Sequence, residues 1–288
     1  MIINSSTIQL LRFPFSVFLL PVFLFGLSQP MQTSWTRAGV LFFILHILVY
    51  PSSNGYNSYI DRDQTPIGGL EHPPQPAKQL FYLTIAMDIL AIALSFFLSI
   101  WSVGAIIIYI LASRAYSSRM IRLKKYPFIG FLVVICCQGG LVFWLSYHAT
   151  HASLSTSVPL TGVLASIFLL AGAYPLTQIY QHQQDAADGV TTISMRFGIR
   201  GTFKCSALLF NLAFLILGLH FGLQLELDRF FILMICFLPV LVYFIWWARA
   251  VWRDPSTASF QNLMKMNAIS AICSIAGFGS LLIWKIFD

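Results

Sequence analysis

The sequence predicts an all-α polytopic membrane protein, a bundle of nine transmembrane helices. Three observations carry this. Of the 288 residues, 58% are hydrophobic and only 9% are charged, where a soluble domain carries about a quarter charged residues. The mean hydropathy is +0.78. The apolar residues also gather into runs close to the length of about 20 residues that a helix needs to cross a bilayer.

In chain order the runs fall at about 7–28, 35–52, 79–98, 100–114, 127–148, 158–179, 203–222, 229–250 and 264–285. The first is apolar from Thr7 to Leu27 apart from Gln9, Arg12 and Ser16. It is longer than a signal-peptide core and has no small-residue cleavage site, so it is expected to be a span rather than a leader. The second ends where polar residues begin at Ser52. Residues 79–114 are too long for one span, and SIWSVG at 99–104 marks a tight turn between two. Each later run reaches spanning length by itself.

Charge supports that count. With nine spans, one side holds the N-terminus and the loops after spans 2, 4, 6 and 8. Of the 17 Lys and Arg, only Arg37, Arg229 and Lys285 fall on the other side. Such asymmetry is the positive-inside signature, and merging 79–114 into one helix would scramble it. The net charge of +7 therefore states topology and argues against a nucleic-acid partner. The expectation is a single transmembrane domain over 1–288, in a membrane such as the bacterial inner membrane. Its N-terminus and loops about 53–78, 113–127 and 179–203 would be cytoplasmic. The five cysteines lie in apolar runs without metal-ligand spacing and read as buried small hydrophobes.

The positive-inside rule does not ask for carboxylates, yet Asp61, Asp63, Glu71, Asp185, Asp188 and Asp254 all lie on that side. The stretch NGYNSYIDRDQTPIGG follows span 2. On a continuing helix Asn54, Asn57 and Asp61 share one face and Asp63 is turned away. Pro66 and two glycines then favour a loop. After span 6 comes YQHQQDAADGVTTISMRFG, where Gln181, Asp185 and Asp188 share a helical face. Spans 2 and 6 are four helices apart, which suggests a duplicated four-helix unit plus one helix. Two carboxylate-bearing helix ends on one membrane face fit Mg²⁺, which takes one or two carboxylates and completes its shell with phosphate and water. Asp61 and Asp185 are the expected anchors, with Asn57 and Gln181 adding neutral oxygens. Between them, SRAYSSRMIRLKKYPFIG follows span 4 with Arg114, Arg119, Arg122, Lys124 and Lys125. Such cations suit phosphate oxygens; a polybasic patch on anionic lipid is the alternative.

Together these residues resemble the UbiA superfamily of intramembrane prenyltransferases. NSYIDRDQT at 57–65 is similar to the family's NDxxDxxxD. AYSSRMIRLKKYPFIG is similar to its YSxxxxRLKxxPxxG through Tyr116, Ser117, Arg122, Leu123, Lys124, Pro127 and Gly130. QHQQDAADGVTT is similar to DxxxDxxxGxxT through Asp185, Gly189 and Thr192. Thr65 stands where the family has the last aspartate of the first motif, and Gln181 where it has the first of the second.

The resemblance implies Mg-dependent transfer of a polyprenyl group from its diphosphate to a hydrophobic acceptor. That acceptor could be a quinone-precursor ring, a tetrapyrrole or another lipid. It implies Asn57, Asp61, Gln181 and Asp185 at the metal, and Arg119, Arg122 and Lys124 on the diphosphate. Tyr116, with Tyr56 and Tyr59, is expected near an allylic cation, and Asp63 or Asp188 as proton acceptor. A non-catalytic or transport-type protein that kept the fold is the alternative. A transporter would place its polar motifs near the midplane, and the DGxxAR signature of CDP-alcohol phosphotransferases is missing. Asp88, inside span 3, is expected to face the bundle, next to the chamber or bonded to a polar group such as His46. His148 and His151, on the far side, and Trp246 and Trp247 read as interface residues.

Overall fold

The computed structural model describes residues 4–287; residues 1–3 and 288, which the single-domain expectation includes, lie outside the described residues. Among these, nine helices are long and apolar enough to cross a membrane. They are α1 (Ser5–Ser28), α2 (Trp35–Asp61), α3 (Lys78–Ser95), α4 (Ile100–Ser117), α5 (Pro127–Thr150), α6 (Leu160–Gln178), α7 (Ile193–Leu223), α8 (Leu227–Arg253) and α9 (Phe260–Ile286). The expected turn between the third and fourth spans is present. Ser99 is extended and its hydroxyl accepts from the Ser102 amide, capping α4, as a short polar side chain does at a helix start.

Sequential helices pack on one another, α2 against α3 and α4, α6 against α5 and α7, and α9 against α8. α1 closes the bundle by lying against α5 and α9. At the centre Phe25 of α1 stacks on Phe278 of α9 and meets Phe143 of α5, with ring centroids 4.7 and 4.8 Å apart. Small residues allow the closest approach: a Cβ on Gly139 of α5 would meet the Ser166 carbonyl of α6 at 2.7 Å. Membrane helices use this device where no hydrophobic drive joins them. α8 gives Ile235, Leu238, Val242 and Ile245 to the exterior.

Several helices depart from α geometry. In α1 the chain turns at Arg12 (φ 50°) and continues as a 3₁₀ segment carrying Pro14. In α2 the turns over Phe43–Val49 widen to π geometry just before Pro51, which offers no N–H to the carbonyl four residues back. α5 widens likewise over Ile135–Leu141. α6 tightens to 3₁₀ at Tyr174–Gln178 around Pro175.

Packing corrects three expectations and names the partner in a fourth. Asp88 faces the bundle and bonds polar groups as expected, but they are Arg114 and Ser52 rather than His46: the Arg114 Nε donates to its carboxylate at 2.9 Å, and Ser52 Oγ donates at 2.6 Å. Trp247 is fully buried, its indole N–H donating to the Thr257 carbonyl, and only Trp246 faces outward. His148 is buried between Ser99 and the Ser155 carbonyl, 2.8 and 3.0 Å away. The cysteines are not core residues, with Cys136 exposed and the other four part-exposed.

Candidate active site

The first acidic motif is built by the end of α2. The helix stops at Asp61 because Arg62 adopts the left-handed conformation (φ 54°), its amide bonding the Ser58 carbonyl. That turn redirects the chain. Asp63, expected off the motif's face, lines the same cavity as Asn57 and Asp61. The Asn57 amide donates to Asp61 Oδ2 at 2.7 Å and to Ser117 Oγ at 3.1 Å.

The second motif folds as a short helix, His182–Ala187, with Gln181 and Asp188 at its two ends; Gln181 and Asp185, one turn apart, both line the cavity, and Asp188 does not. The two motifs are tied together across the cleft. Gln184 Nε2 donates to Asp63 Oδ1 at 2.5 Å, and Gln181 Nε2 to the Pro66 carbonyl at 3.2 Å. Gly189, at φ +66°, takes the chain out of that helix in a conformation that side chains disfavour.

Three of the five loop cations reach these motifs. Lys124 Nζ donates to Asp61 Oδ2 at 2.5 Å, both side chains nearly buried. Arg119 Nη1 donates to Asp188 Oδ1 at 3.0 Å, and Arg122 Nη2 to Asp188 Oδ2. Arg114 belongs instead to the Asp88 pair, and Lys125 is exposed. Gly130 lets this loop settle on the first turn of α5, since a Cβ there would meet the Leu123 carbonyl and Lys124 Cα at 3.2 Å.

Behind this polar mouth lies a cavity of about 380 Å³, within the range of ligand pockets. Asn57, Asp61, Asp63, Lys124, Gln181 and Asp185 line its mouth, and Phe15, Leu19, Val134, Leu170 and Phe210 are among its apolar walls. Tyr116 lines it too, its hydroxyl 2.5 Å from that of Tyr174. Tyr56 and Tyr59 do not. Tyr56 lies under the Arg114 guanidinium, 4.0 Å away, and Tyr59 packs on Phe81. Arg119, Arg122 and Asp188 stand at the rim, outside the lining.

Sequence reasoning missed Arg12 as a site residue. It is 8% exposed, donates to the Gly68 and Asn54 carbonyls at 3.2 and 3.3 Å, and faces the carboxylates from α1. A lone arginine in an apolar run was the available signal. Tyr50, Tyr109, Tyr174 and Tyr180 also line the cavity, and nothing in the local sequence marked them.

The electrostatics of the cleft favour a cation. Burial, and then the neighbouring Asp61, push the Asp63 carboxyl up to about 6 despite Lys124 and Arg12. Burial raises Asp185 to about 6 as well, with Asp63 and Asp61 adding to it against Lys124. Asp61 Oδ1 is buried without a hydrogen-bond partner, as is Gln184 Oε1. Lone pairs left this way cost free energy unless something fills them. Among the described residues, no group of three or more His, Cys, Asp or Glu side chains could hold a metal by itself. Asp61 and Asp185, with the Asn57 and Gln181 amide oxygens, are a donor set of the kind a divalent cation shares with an anionic ligand rather than a closed protein cage.

The profile of the UbiA prenyltransferase family matches residues 17–269. The chain is 23% identical over 238 residues to the digeranylgeranylglyceryl phosphate synthase of Saccharolobus solfataricus, covering 82% of this chain and 81% of that one. It is 26% identical over 155 residues to the bacteriochlorophyll synthase 33 kDa chain of Cereibacter sphaeroides. That match covers 52% of this chain and about half, 51%, of the relative. In fold it is similar to a UbiA homolog from Archaeoglobus fulgidus bound to DMAPP and Mg²⁺, with TM-score 0.72 and 19% identity over 97% of this chain and 99% of that one. The apo UbiA homolog from Aeropyrum pernix K1 gives 0.69 and 15% over 96% and 99%. The chain belongs to the UbiA prenyltransferase family.

Proposed function

We propose that this protein transfers a polyprenyl group from its diphosphate to an aromatic or other lipid-pathway acceptor within the membrane, with Mg²⁺ as cofactor. The observation that carries the reading is an acidic and basic mouth over a mainly apolar cavity of about 380 Å³, whose walls also carry polar groups such as Gln138 and Asn267. The apolar part suits a prenyl tail, and the charged mouth suits a diphosphate.

Asp61 and Asp185 would hold the metal, with Asn57 and Gln181 supplying amide oxygens; when bound, the metal neutralises charge on the departing diphosphate. Thr65, at the position of the family's third aspartate, is exposed and outside the lining, whereas Asp63 enters it. The site therefore keeps three carboxylates despite the departures at Ser58, Thr65 and Gln181. Arg119, Arg122 and Lys124 supply the diphosphate contacts, charge-assisted bonds that strengthen as the leaving group gains charge.

Heterolysis of the C1–O bond sends its electron pair to the diphosphate and leaves an allylic cation. Tyr116, held by Tyr174, offers that cation an aromatic face, and the apolar walls exclude water. The acceptor then bonds to C1 and releases a proton. Asp63 suits that proton better than Asp188, because a carboxyl near 6 in the cavity is matched to the task, whereas Asp188 is held by two arginines. The chain acts as one domain, with these loops on the cytoplasmic face, on the strength of the basic-residue asymmetry.

Membranes containing the protein, incubated with labelled farnesyl or geranylgeranyl diphosphate, Mg²⁺ and a panel of aromatic acceptors, test this. Transfer is expected, lost in Asp61→Ala and in Asp185→Ala and kept in Lys265→Ala, whose side chain is exposed away from the cavity. Neither transfer nor diphosphate release with any donor would sink the reading.

A further inference from the structure

The rim raises a question that the reading above leaves open: what do the phosphate-binding cations do before a phosphate arrives? Asp188 gives one carboxylate oxygen to Arg119 Nη1 at 3.0 Å and the other to Arg122 Nη2. One planar anion thus spans two guanidinium groups, the arrangement that two oxygens of a phosphate would take. Lys124, the third cation, is likewise engaged by Asp61. Two of the protein's own carboxylates therefore engage all three cations of the anion site, leaving one net positive charge among them.

Other features show that this state is held rather than optimal. Arg122 sits in the left-handed region at φ 50°, a conformation costly for a residue with a Cβ. Its Nε is buried without a partner, so a donor remains free after the Asp188 bond is made. Asp188 is a third exposed. It lies at the end of a six-residue helix, directly before Gly189 at φ +66°. Its side chain can leave the arginines for water without unpacking a span.

Resting on the prenyl-transfer reading, we propose that Asp188 is an internal competitor for the substrate diphosphate. Its carboxylate occupies Arg119 and Arg122 in the empty protein, and phosphate oxygens displace it on binding. Asp188 then sets affinity for the anion and is neither a metal ligand nor the proton acceptor. Release of the diphosphate product is eased in turn, because the carboxylate returns to the same two arginines.

The sign of one measurement decides this. The purified protein in nanodiscs is titrated with inorganic pyrophosphate by calorimetry, in EDTA and again in Mg²⁺. Asp188→Asn keeps the shape and removes the charge. It should bind pyrophosphate about five- to tenfold more tightly in both conditions, the scale of two partly exposed ion pairs. Asp188→Glu keeps the charge and should stay within about twofold of the wild type. In an Arg122→Gln background, the gain from Asp188→Asn should shrink, since the competed partner is gone. Asp188→Ala serves as a second neutral variant if the asparagine protein fails to fold. Unchanged or weaker binding in the neutral variants overturns the competitor role, and weaker binding would mean that Asp188 positions the arginines or holds metal. If the wild type binds and only the gain is missing, prenyl transfer stands. If the wild type binds neither pyrophosphate nor geranylgeranyl diphosphate with Mg²⁺, both readings fall.

Discussion

Removing both members of the Asp88–Arg114 pair should destabilise the protein no more than removing either one. The Arg114 Nε lies 2.9 Å from the Asp88 carboxylate, and the side chains are 18% and 13% exposed. At an effective dielectric of about 20, charges at that separation attract by about 6 kcal/mol. Desolvation offsets much of this, so the pair adds little net stability, while orphaning one charge costs about 3–5 kcal/mol. Arg114 also lies 4.0 Å over Tyr56, worth about 1 kcal/mol more. Arg114→Met and Asp88→Asn should therefore each lower unfolding free energy by about 3 kcal/mol. The double variant should lose no more than either alone, a coupling of about 3 kcal/mol. Unfolding in mixed detergent micelles measures all four proteins. Losses that add would refute the reasoning, because they would mean that neither charge depends on the other. Neither residue lines the cavity, so the double variant should still transfer.

Three further outcomes are expected. Asp63 and Asp185 are both raised to about 6 by burial and by neighbouring carboxylates, above the usual carboxylate value near 4. Their protonation therefore favours the folded state below about pH 4, and that contribution is lost as pH rises through 6. In EDTA the melting temperature should rise from pH 8 to pH 5. Asp63→Asn with Asp185→Asn should flatten the profile, and a wild-type profile already flat would contradict the shifts. Gly130→Ala should cost about 1 kcal/mol in unfolding free energy and reduce transfer, because its Cβ presses on the backbone carrying Lys124. Arg12→Met removes two charged hydrogen bonds to the Gly68 and Asn54 carbonyls. It should cost about 2 kcal/mol and lower transfer at least tenfold, where Lys265→Met changes neither.

The spans and the order of the motifs were legible because hydropathy and charge asymmetry are local. A stretch either has enough apolar residues to cross a bilayer or it does not. Pairing between spans is not local. Asp88 and His46 looked like potential partners, yet Arg114 reached Asp88 first; its position among loop cations hid that it lies inside α4. Trp247 has the composition of a belt residue but faces inward, against Phe203 and the Thr257 carbonyl. Arg12 and Tyr174 contribute to the site from α1 and α6, and no spacing rule links them to the acidic motifs.

Asp63 shows why even a well-read motif can mislead about its own members. Helical projection turns it away from Asn57 and Asp61, and that projection holds only while the helix continues. One residue, Arg62, leaves helical geometry and swings the next side chain into the cavity. The same turn leaves Thr65 exposed. A carboxylate at 65 would therefore have to be brought in by a different loop path from the one seen here, while Asp63 already stands in the cleft. Substitution at a motif position is thus weak evidence of a lost site when the turn before it decides which side chain enters. Asp63→Asn and Thr65→Asp separate the two positions: the first should lower transfer sharply and the second should leave it near the wild type. A gain of activity in Thr65→Asp that also rescued Asp63→Asn would show that position 65 reaches the cleft after all.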